Sequence, residues 1–436
     1  MARKMKDSGI EWIGEIPEGW EVIPIKYLAR YNYDTLTESC SPDFEFNYID
    51  IGSVTYGKGI TTFQKFKFKD SPSRARRVVT PGDILISTVR TYLRAIACVN
   101  KSSIPQIAST GFLVLQADSS KLPPQFLMYA VLADSFICNV EAHSVGISYP
   151  AINASQIVHF KIPLPPSTEQ IPLINYLDNH CSKIDVLLSK IHSSIEEYKK
   201  LKQAVITQAV TKGMRGEREM KDSGVEWIGE IPAEWSITKI KSGVTKIGSG
   251  KTPSGGAETY TDSGVIFLRS QNVYDCTLNL ESPTYISPEV DATMKSTRVL
   301  SDDVLLNITG GSIGRCSIVP KTLGLANVNQ HVCIIRTNPL IFLPKYMQYF
   351  WVSTLGHLAI DLYQTGGNRE GMSADAIRNT PIPYAPLNEQ KEIADYLDAK
   401  CAEIDGLIAK KEQLVKELES YKKSLIYEVV TGKRTV

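Results

Sequence analysis

Two long stretches of the chain carry apolar residues in a regular helical pattern. Within each, apolar side chains recur at alternating intervals of four and three positions, which is typical of a coiled-coil seam. We therefore predict two long helices of about 35 residues, at 177–211 and 397–431. The seam positions are Leu177, Cys181, Ile184, Leu188, Ile191, Ile195, Tyr198, Lys202, Val205 and Ala209, and then Leu397, Cys401, Ile404, Ile408, Lys411, Val415, Leu418, Lys422, Leu425 and Val429.

The segments that flank these helices also predict structure. IPLPPSTEQ and IPYAPLNEQ precede them, and their prolines favour a strand and a turn, with helix only from Glu169 and Glu389. Gly213 and Gly432 follow the last seam positions, as expected for helix stops. Lys202 and Lys422 occupy equivalent seam positions, where a polar residue can fix the register of a coiled coil.

The chain is an internal duplication. Residues 5–20 and 220–235 are identical at thirteen of sixteen positions, and these two boxes contain four of the five tryptophans. We interpret Trp12, Trp20, Trp227 and Trp235 as packing residues. Residues 162–211 align without gaps to 382–431, at an offset of 220.

Two globular regions, 21–160 and 236–381, lie between the repeated blocks and share a faint skeleton at the same offset. VTPGDILIS and VLSDDVLLN each predict a turn and a buried strand, and LPPQFLMYAVL and LPKYMQYFWVS predict matching helices. Gly146 matches Gly366, and Ile157 matches Ile377. The loops between these elements share almost nothing, as two different binding specificities on one scaffold would require.

These motifs resemble the specificity subunit of type I restriction–modification systems over essentially the whole chain. The DSG-EWIGEIP-W boxes and the EQ-x(5)-YLD-x(2)-C-x(2)-ID openings carry the resemblance most specifically. Residues 251–273 also resemble the opening of one common type of recognition domain, which the first region lacks. The resemblance implies an α+β fold with a pseudo-two-fold axis, in which two target-recognition domains are separated by two long antiparallel coiled-coil helices.

The resemblance also implies domain limits and partners. The first recognition domain would occupy 1–160, its spacer helix region 161–214, the second domain 215–381 and its spacer 382–436. Such a subunit reads a bipartite, asymmetric site in double-stranded DNA. It docks two adenine-specific modification subunits. Restriction subunits, which act as nuclease and translocase, join this complex. S-adenosylmethionine, ATP and Mg²⁺ would bind those partners, and this chain would hold no cofactor.

Composition and charge refine this prediction. Hydrophobic residues are 43% and charged residues 22%, as in a globular protein, and no apolar run approaches the ~18 residues of a membrane span. Eight scattered cysteines and an N-terminus without a secretory pattern favour a cytoplasmic location. The net charge is only +1, yet residues 51–101 hold ten Lys or Arg against two carboxylates, which indicates an anionic partner.

Catalytic motifs are missing from the sequence. GSGKT at 248–252 imitates a phosphate-binding loop, but Thr245 stands where the motif needs its first glycine, and Pro253 follows at once. Neither a methyltransferase motif nor a metal-binding histidine pattern occurs. Cys181 and Cys401 occupy seam positions and are predicted to pack as small apolar residues. We expect the isolated chain neither to hydrolyse ATP nor to transfer a methyl group.

The remaining chemistry is that of DNA binding. Lys can contact phosphates, Arg can also contact guanine, and Asn and Gln suit adenine. FQKFKFK at 63–69 is predicted to form a strand with its lysines on one face. The candidates are Lys58, Lys65, Lys67, Lys69, Arg74, Arg76, Arg77, Arg90 and Arg94 in the first region, and Arg269, Gln271, Asn272, Asn307, Arg315, Asn329, Gln330, Asn368 and Arg369 in the second.

Bland alternatives stand beside each of these candidates. The basic stretch can be a solvated sheet face, and each polar loop residue can serve the loop's own hydrogen bonds. For the whole chain the alternatives are an enzyme, which would need a complete cofactor motif, and a coiled-coil scaffold that binds protein and not DNA. The near-neutral net charge favours the scaffold, whereas the basic stretch and the unlike loops disfavour it.

Overall fold

The computed structural model describes residues 3–364 and 371–436, which form two compact units. The first comprises Met1–Ile191 with Gln413–Val436, and the second His192–Glu412. Each unit mixes helices with antiparallel and parallel strands, so the predicted α+β class is confirmed.

The first unit is built mainly from short strands. They are β1 Met5–Asp7, β2 Glu15–Pro17, β3 Glu21–Pro24, β4 Ala29–Tyr31, β5 Glu45–Ile49, β6 Val54–Thr55, β7 Gly59–Ile60, β8 Gln64–Lys67, β9 Ala75–Val79, β10 Ile84–Ser87, β11 Ile96–Cys98, β12 Gln106–Ser109, β13 Phe112–Ala117 and β14 Lys161–Leu164. Its short helices are α1 Pro124–Leu132, α2 Asp134–Ala142 and α3 Ala154–Ile157. The long helix α4, Ser167–Lys212, begins in this unit and ends in the second.

The second unit repeats this order with local changes. Its strands are β15 Met220–Asp222, β16 Glu230–Pro232, β17 Ser236–Lys239, β18 Val244–Ser249, β19 Tyr260–Thr261, β20 Val265–Leu268, β21 Val273–Tyr274, β22 Thr277–Leu278, β23 Thr284–Ile286, β24 Val304–Asn307, β25 Cys316–Ile318, β26 Ala326–Val328, β27 Val332–Thr337 and β28 Pro381–Tyr384. Its helices are α5 Pro288–Thr293, α6 Pro344–Val352, α7 Thr354–Tyr363, α8 Ala374–Asn379 and α9 Leu387–Val430, the last of which ends in the first unit.

Each unit contains two four-stranded sheets. In the first unit their strand orders are β11-β10-β13-β4 and β8-β5-β12-β9, and in the second β18-β27-β24-β25 and β19-β23-β20-β26. The registers repeat, since Ile84 faces Leu115 and Val304 faces Ile335, both at an offset of 220. The duplication read from the sequence is therefore a duplication of strand pairing.

The copies differ at one sheet edge. In the first unit β9 pairs along β12, with Val78 opposite Ile107. At the equivalent place in the second unit only a single bridge remains, between Arg298 and Asn327. Sheet edges and loops thus diverge where the shared core does not.

The apolar skeleton predicted from the sequence lies in the cores. The strands after the two matched turns, β10 and β24, are buried throughout, and α1 and α6 lie at an offset of 220. Ile157, Ile377 and Trp20 are fully buried, and Trp235 is almost fully buried. Trp12 and Trp227 are partly buried against the same cores, so the packing role of all four tryptophans is confirmed. Gly366 lies outside the described residues.

The long helices lie against each other in antiparallel order within each unit. In the first unit Lys422 of α9 contacts both carboxylate oxygens of Asp185 of α4, at 2.6 and 2.7 Å. In the second unit Lys202 of α4 contacts Asp405 of α9, with both distances 2.7 Å. The seam lysines are therefore paired across the helices, at positions related by the offset of 220. Cys181 and Cys401 are both buried in the seam, which confirms their packing role.

The predicted start of each helix was wrong. The helices α4 and α9 begin at Ser167 and Leu387 and contain 46 and 44 residues, because the turn before Glu169 and Glu389 is already helical. Pro172 lies inside α4, in its second turn. A proline there removes one backbone hydrogen bond near the helix start, which the buried face of the helix offsets.

Candidate DNA interface

The lysines of residues 63–69 lie on an edge strand and the turn after it. The strand β8 is shorter than predicted, because Phe68 already belongs to a short 3-10 helix. Lys67 and Lys69 approach Asp43 at 3.7 and 3.0 Å, and both lysine side chains are about half exposed. Lys65 is exposed on the same strand. This edge is a mixed-charge surface, and less strongly basic than the sequence count suggests.

The three arginines 74, 76 and 77 occupy different environments. Arg74 is exposed immediately before β9, and its backbone carbonyl accepts from the amide of Thr110 at 2.8 Å, whereas its guanidinium makes no hydrogen bond to a described residue. Arg76 pairs with Glu38 at 2.8 Å and lies over the Phe68 ring. Arg77 is partly buried, its Nε has no hydrogen-bond partner in the described part of the chain, and burial lowers the pKa of Arg77. Of the three, Arg74 presents the most accessible guanidinium.

Arg90 and Arg94 flank a 3-10 turn, Thr91–Leu93, and both adopt the left-handed conformation. The guanidinium of Arg94 is held by Glu141 at 2.8 Å and Asp134 at 2.9 Å, and the hydrogen bond to Glu141 raises the pKa of Arg94. Arg90 lies 4.9 Å over the exposed ring of Tyr149. Arg94 is therefore held within the fold, whereas Arg90 is at the surface. Lys58 is exposed in the turn between β6 and β7.

Three of the asparagine candidates in the second unit are buried and hold loops. Asn272 accepts from the Arg269 amide at 2.9 Å and donates to the Asn279 carbonyl at 3.0 Å. Asn307 donates to the Ser270 carbonyl at 2.8 Å. Asn329 accepts from the amide of His331 at 3.2 Å. Their side chains shape the turns that carry the exposed residues beside them.

The other candidates of this unit lie closer to the surface. Arg269 and Arg315 lie over the rings of Tyr260 and Tyr274, at 5.6 and 4.5 Å, and both are half-buried. Gln271 and Gln330 are exposed. Asn368 and Arg369 lie outside the described residues.

The turn between β26 and β27 brings together polar side chains that the sequence did not group. Gln330, one of the predicted candidates, lies at its tip, next to His331, which was not a candidate. Thr252, from the GSGKT segment, donates a hydrogen bond to Gln330, and Thr309 contacts the ring of His331 at 2.6 Å. No sequence signal could have grouped residues so far apart in the chain. In the first unit, the equivalent turn reads Ser109-Thr110-Gly111.

The match to a known protein family agrees with this two-unit architecture. The type I restriction modification DNA specificity domain matches the chain twice, at residues 17–197 and 232–417. This chain belongs to the type I restriction–modification DNA specificity family. Both matched segments are DNA-recognition domains and neither is a catalytic domain, so the alternative of a scaffold that does not bind DNA is not supported.

Individual members of the family align along most of the specificity protein. The type I restriction enzyme MjaVIII specificity subunit of Methanocaldococcus jannaschii is 25% identical over 434 residues, covering 96% of this chain and 93% of that protein. The EcoBI specificity subunit of Escherichia coli is 22% identical, covering 82% and 74%. A chain from a solved structure on complex assembly and conformational transition of the type I R-M system has a TM-score of 0.76 at 21% identity, covering 96% and 99%.

Among residues 3–364 and 371–436 of this specificity protein, no group of three His, Cys, Asp or Glu side chains is placed to hold a metal ion. Over the same residues, no helix combines the length and the apolar character needed to cross a membrane.

Proposed function

We propose that this chain reads a bipartite, asymmetric target in double-stranded DNA, with one half-site recognised by each unit. The supporting observation is the pair of equivalent turns, β12–β13 and β26–β27. They occupy the same place in repeated registers but carry Ser109-Thr110-Gly111 in one copy and Asn329-Gln330-His331 in the other. Because hydrogen-bonding side chains at the tips of rigid strands can discriminate bases, unlike tips imply unlike half-sites.

Accessible cationic side chains would supply the contacts to DNA phosphates. In the first unit these are Lys58, Lys65, Arg74 and Arg90, all at the surface. Contacts of this kind fix the position of the protein on the duplex, whereas polar side chains at the base edges select the sequence. Arg94, which two carboxylates hold, would contribute to the fold and only weakly to DNA binding.

The proposed partners are two modification subunits and the restriction subunits that join them. The pairing pattern of one unit recurs in the other, and this repetition supports one copy of a methyltransferase for each unit. S-adenosylmethionine, ATP and Mg²⁺ would be bound by those partners. Native mass spectrometry of this chain with its methyltransferase should give two methyltransferase copies per chain, and a complex with a single copy would contradict this stoichiometry.

A domain exchange tests the bipartite target. Residues 236–381 would be replaced by the corresponding region of another family member, and methylated sites would be sequenced in a host that also expresses the modification subunit. We expect one half of the methylated site to change and the other half to stay the same. The reciprocal exchange of 21–160 is the matched control and should change the opposite half. A change of both halves in either exchange would contradict one half-site per unit.

A further inference from the structure

The GSGKT segment, which imitates a phosphate-binding loop, serves a different purpose in the structure. Its first two residues end β18, and the rest of the segment passes close to β26, where the amide of Lys251 donates to the carbonyl of Val328 at 3.1 Å. A Cβ atom at Gly250 would lie 2.1 Å from that carbonyl oxygen, so only glycine permits this approach. The segment is thereby held against the turn that carries Gln330.

Four side chains then form a hydrogen-bonded row at the surface. The hydroxyl of Thr252 donates to Oε1 of Gln330, and Nε2 of Gln330 donates to Nε2 of His331 at 3.0 Å. A neutral imidazole that accepts at Nε2 carries its proton on Nδ1, which lies 2.6 Å from the hydroxyl oxygen of Thr309. Both ends of the Gln330 amide are therefore fixed by neighbours, and the amide orientation is set before any ligand binds.

The fixed amide leaves a defined pattern of unused hydrogen-bonding groups. Among residues 3–364 and 371–436, no further partner takes up the second N–H of Nε2 or the second lone pair of Oε1 of Gln330, which is itself exposed. This donor and acceptor pair matches the major-groove edge of adenine, where N7 accepts and the N6 amino group donates. We propose that Gln330 recognises an adenine in the half-site of the second unit, with Thr252 and His331 as positioning residues. The inference rests on the proposed DNA-reading function.

The first unit lacks this arrangement. Its equivalent turn has Thr110 in place of Gln330 and Gly111 in place of His331, and Val89 stands where the second unit has Thr309. Neither Val89 nor Gly111 has a side-chain hydrogen-bonding group, so the row cannot form there. A contact of this kind, through Gln330, is therefore confined to the half-site of the second unit.

The test uses the full chain in complex with its modification subunit. Once the methylated sequence is known, duplexes are prepared in which one adenine of the second half-site at a time is replaced by 7-deazaadenine. This replacement removes the N7 acceptor and keeps the N6 amino group. We expect the 7-deazaadenine substitution to weaken binding of the wild-type complex at one of these positions. Gln330→Ala should reduce discrimination against other base pairs at that position by roughly 5- to 150-fold, and should make binding insensitive to 7-deazaadenine there. Gln208→Ala, an exposed glutamine on α4, is the matched control.

The positioning residues need a readout of their own. Thr252→Val should lower discrimination at the same base pair by roughly 2- to 10-fold, and Thr252→Ser, which keeps the hydroxyl, should restore it. Affinity for unrelated DNA and the thermal midpoint should stay unchanged in both variants. A purely structural role for Thr252 would instead shift the midpoint and leave base preference intact, which would overturn this part of the inference.

The outcomes separate this inference from the proposed function. If the wild-type complex selects its sequence but Gln330→Ala leaves every base preference unchanged, the adenine contact is wrong and the DNA-reading function stands. An equal loss of affinity for all sequences would assign Gln330 to the DNA backbone and also overturn the inference. If the wild-type complex shows no sequence preference at all, the proposed function itself fails.

Discussion

The indole Nε1 of Trp235 donates a 2.9 Å hydrogen bond to Oε2 of Glu389, although the two lie 154 positions apart in the chain. Arg218 completes the contact with an ion pair to Glu389 at 2.7 Å. The first unit repeats it, with Trp20 donating to Glu169 at 3.1 Å. The tryptophan box and the first turn of the following long helix are thereby joined in each unit, which explains why both motifs occur in each repeat.

We predict that Trp235→Phe lowers the free energy of unfolding by about 1–3 kcal/mol, because it removes a partner from a carboxylate that is almost fully buried. Urea denaturation followed by circular dichroism measures this. Trp227→Phe is the control, since the indole of Trp227 makes no hydrogen bond to any described residue and is only partly buried. Equal losses in the two variants would show that ring volume, and not the hydrogen bond, stabilises the contact.

The repeated parts of this fold could be predicted from the sequence, whereas the polar parts could not. The seam of α4 and α9 follows a spacing that identifies buried positions, because apolar side chains have one favourable environment. Asparagines such as Asn272 and Asn307 have two favourable environments, the groove of DNA and the interior of a loop. The sequence pattern does not distinguish between these two environments. Gln330 was predicted as a candidate from its residue type alone. Its grouping with Thr252 depends on the close approach of two distant segments, which no local sequence pattern encodes.

The Lys202–Asp405 pair predicts a charge-reversal result. Asp405→Lys places two ammonium groups side by side and should destabilise the protein by about 0.5–1 kcal/mol, since the pair is only partly buried. Adding Lys202→Asp should recover most of this loss, as judged from the urea midpoint. Asp405→Asn is the control for charge removal alone. Failure of the double variant to recover stability would show that the seam lysine acts through its aliphatic chain.

Arg74 and Arg94 should respond differently to substitution. Arg74→Ala should weaken DNA binding and reduce the slope of log K against log salt by roughly 0.9, the loss expected for one phosphate contact. Arg94→Ala removes the arginine from Glu141 and leaves Asp134 with only the longer, 3.6 Å contact to Lys423, so it should lower stability with little change in that slope. Binding titrations between low and moderate salt, together with thermal melting, measure both effects. An unchanged slope for Arg74→Ala would assign that residue to a solvated surface.

The last prediction concerns the lengths of α4 and α9, each of which has residues in both units. We predict that these lengths set the unread gap between the two half-sites. Four extra residues in each helix, after Ser194 and after Leu414, add about 6 Å and just over one turn to each. At ~3.4 Å per base step, the preferred gap should grow by one or two base pairs. The half-site sequences should not change, and sequencing the methylated sites measures both.

The choice of insertion points keeps the interhelical ion pairs intact. Asp185 precedes Lys202 by 17 positions on α4, and Asp405 precedes Lys422 by the same number on α9. Matched insertions lengthen both intervals equally, so each lysine can still reach its aspartate, whereas an insertion in one helix alone forces a mismatch. The single insertion should therefore lower stability and activity without defining a new gap. An unchanged gap in an active complex with both insertions would show that other contacts, and not the helices, determine the spacing.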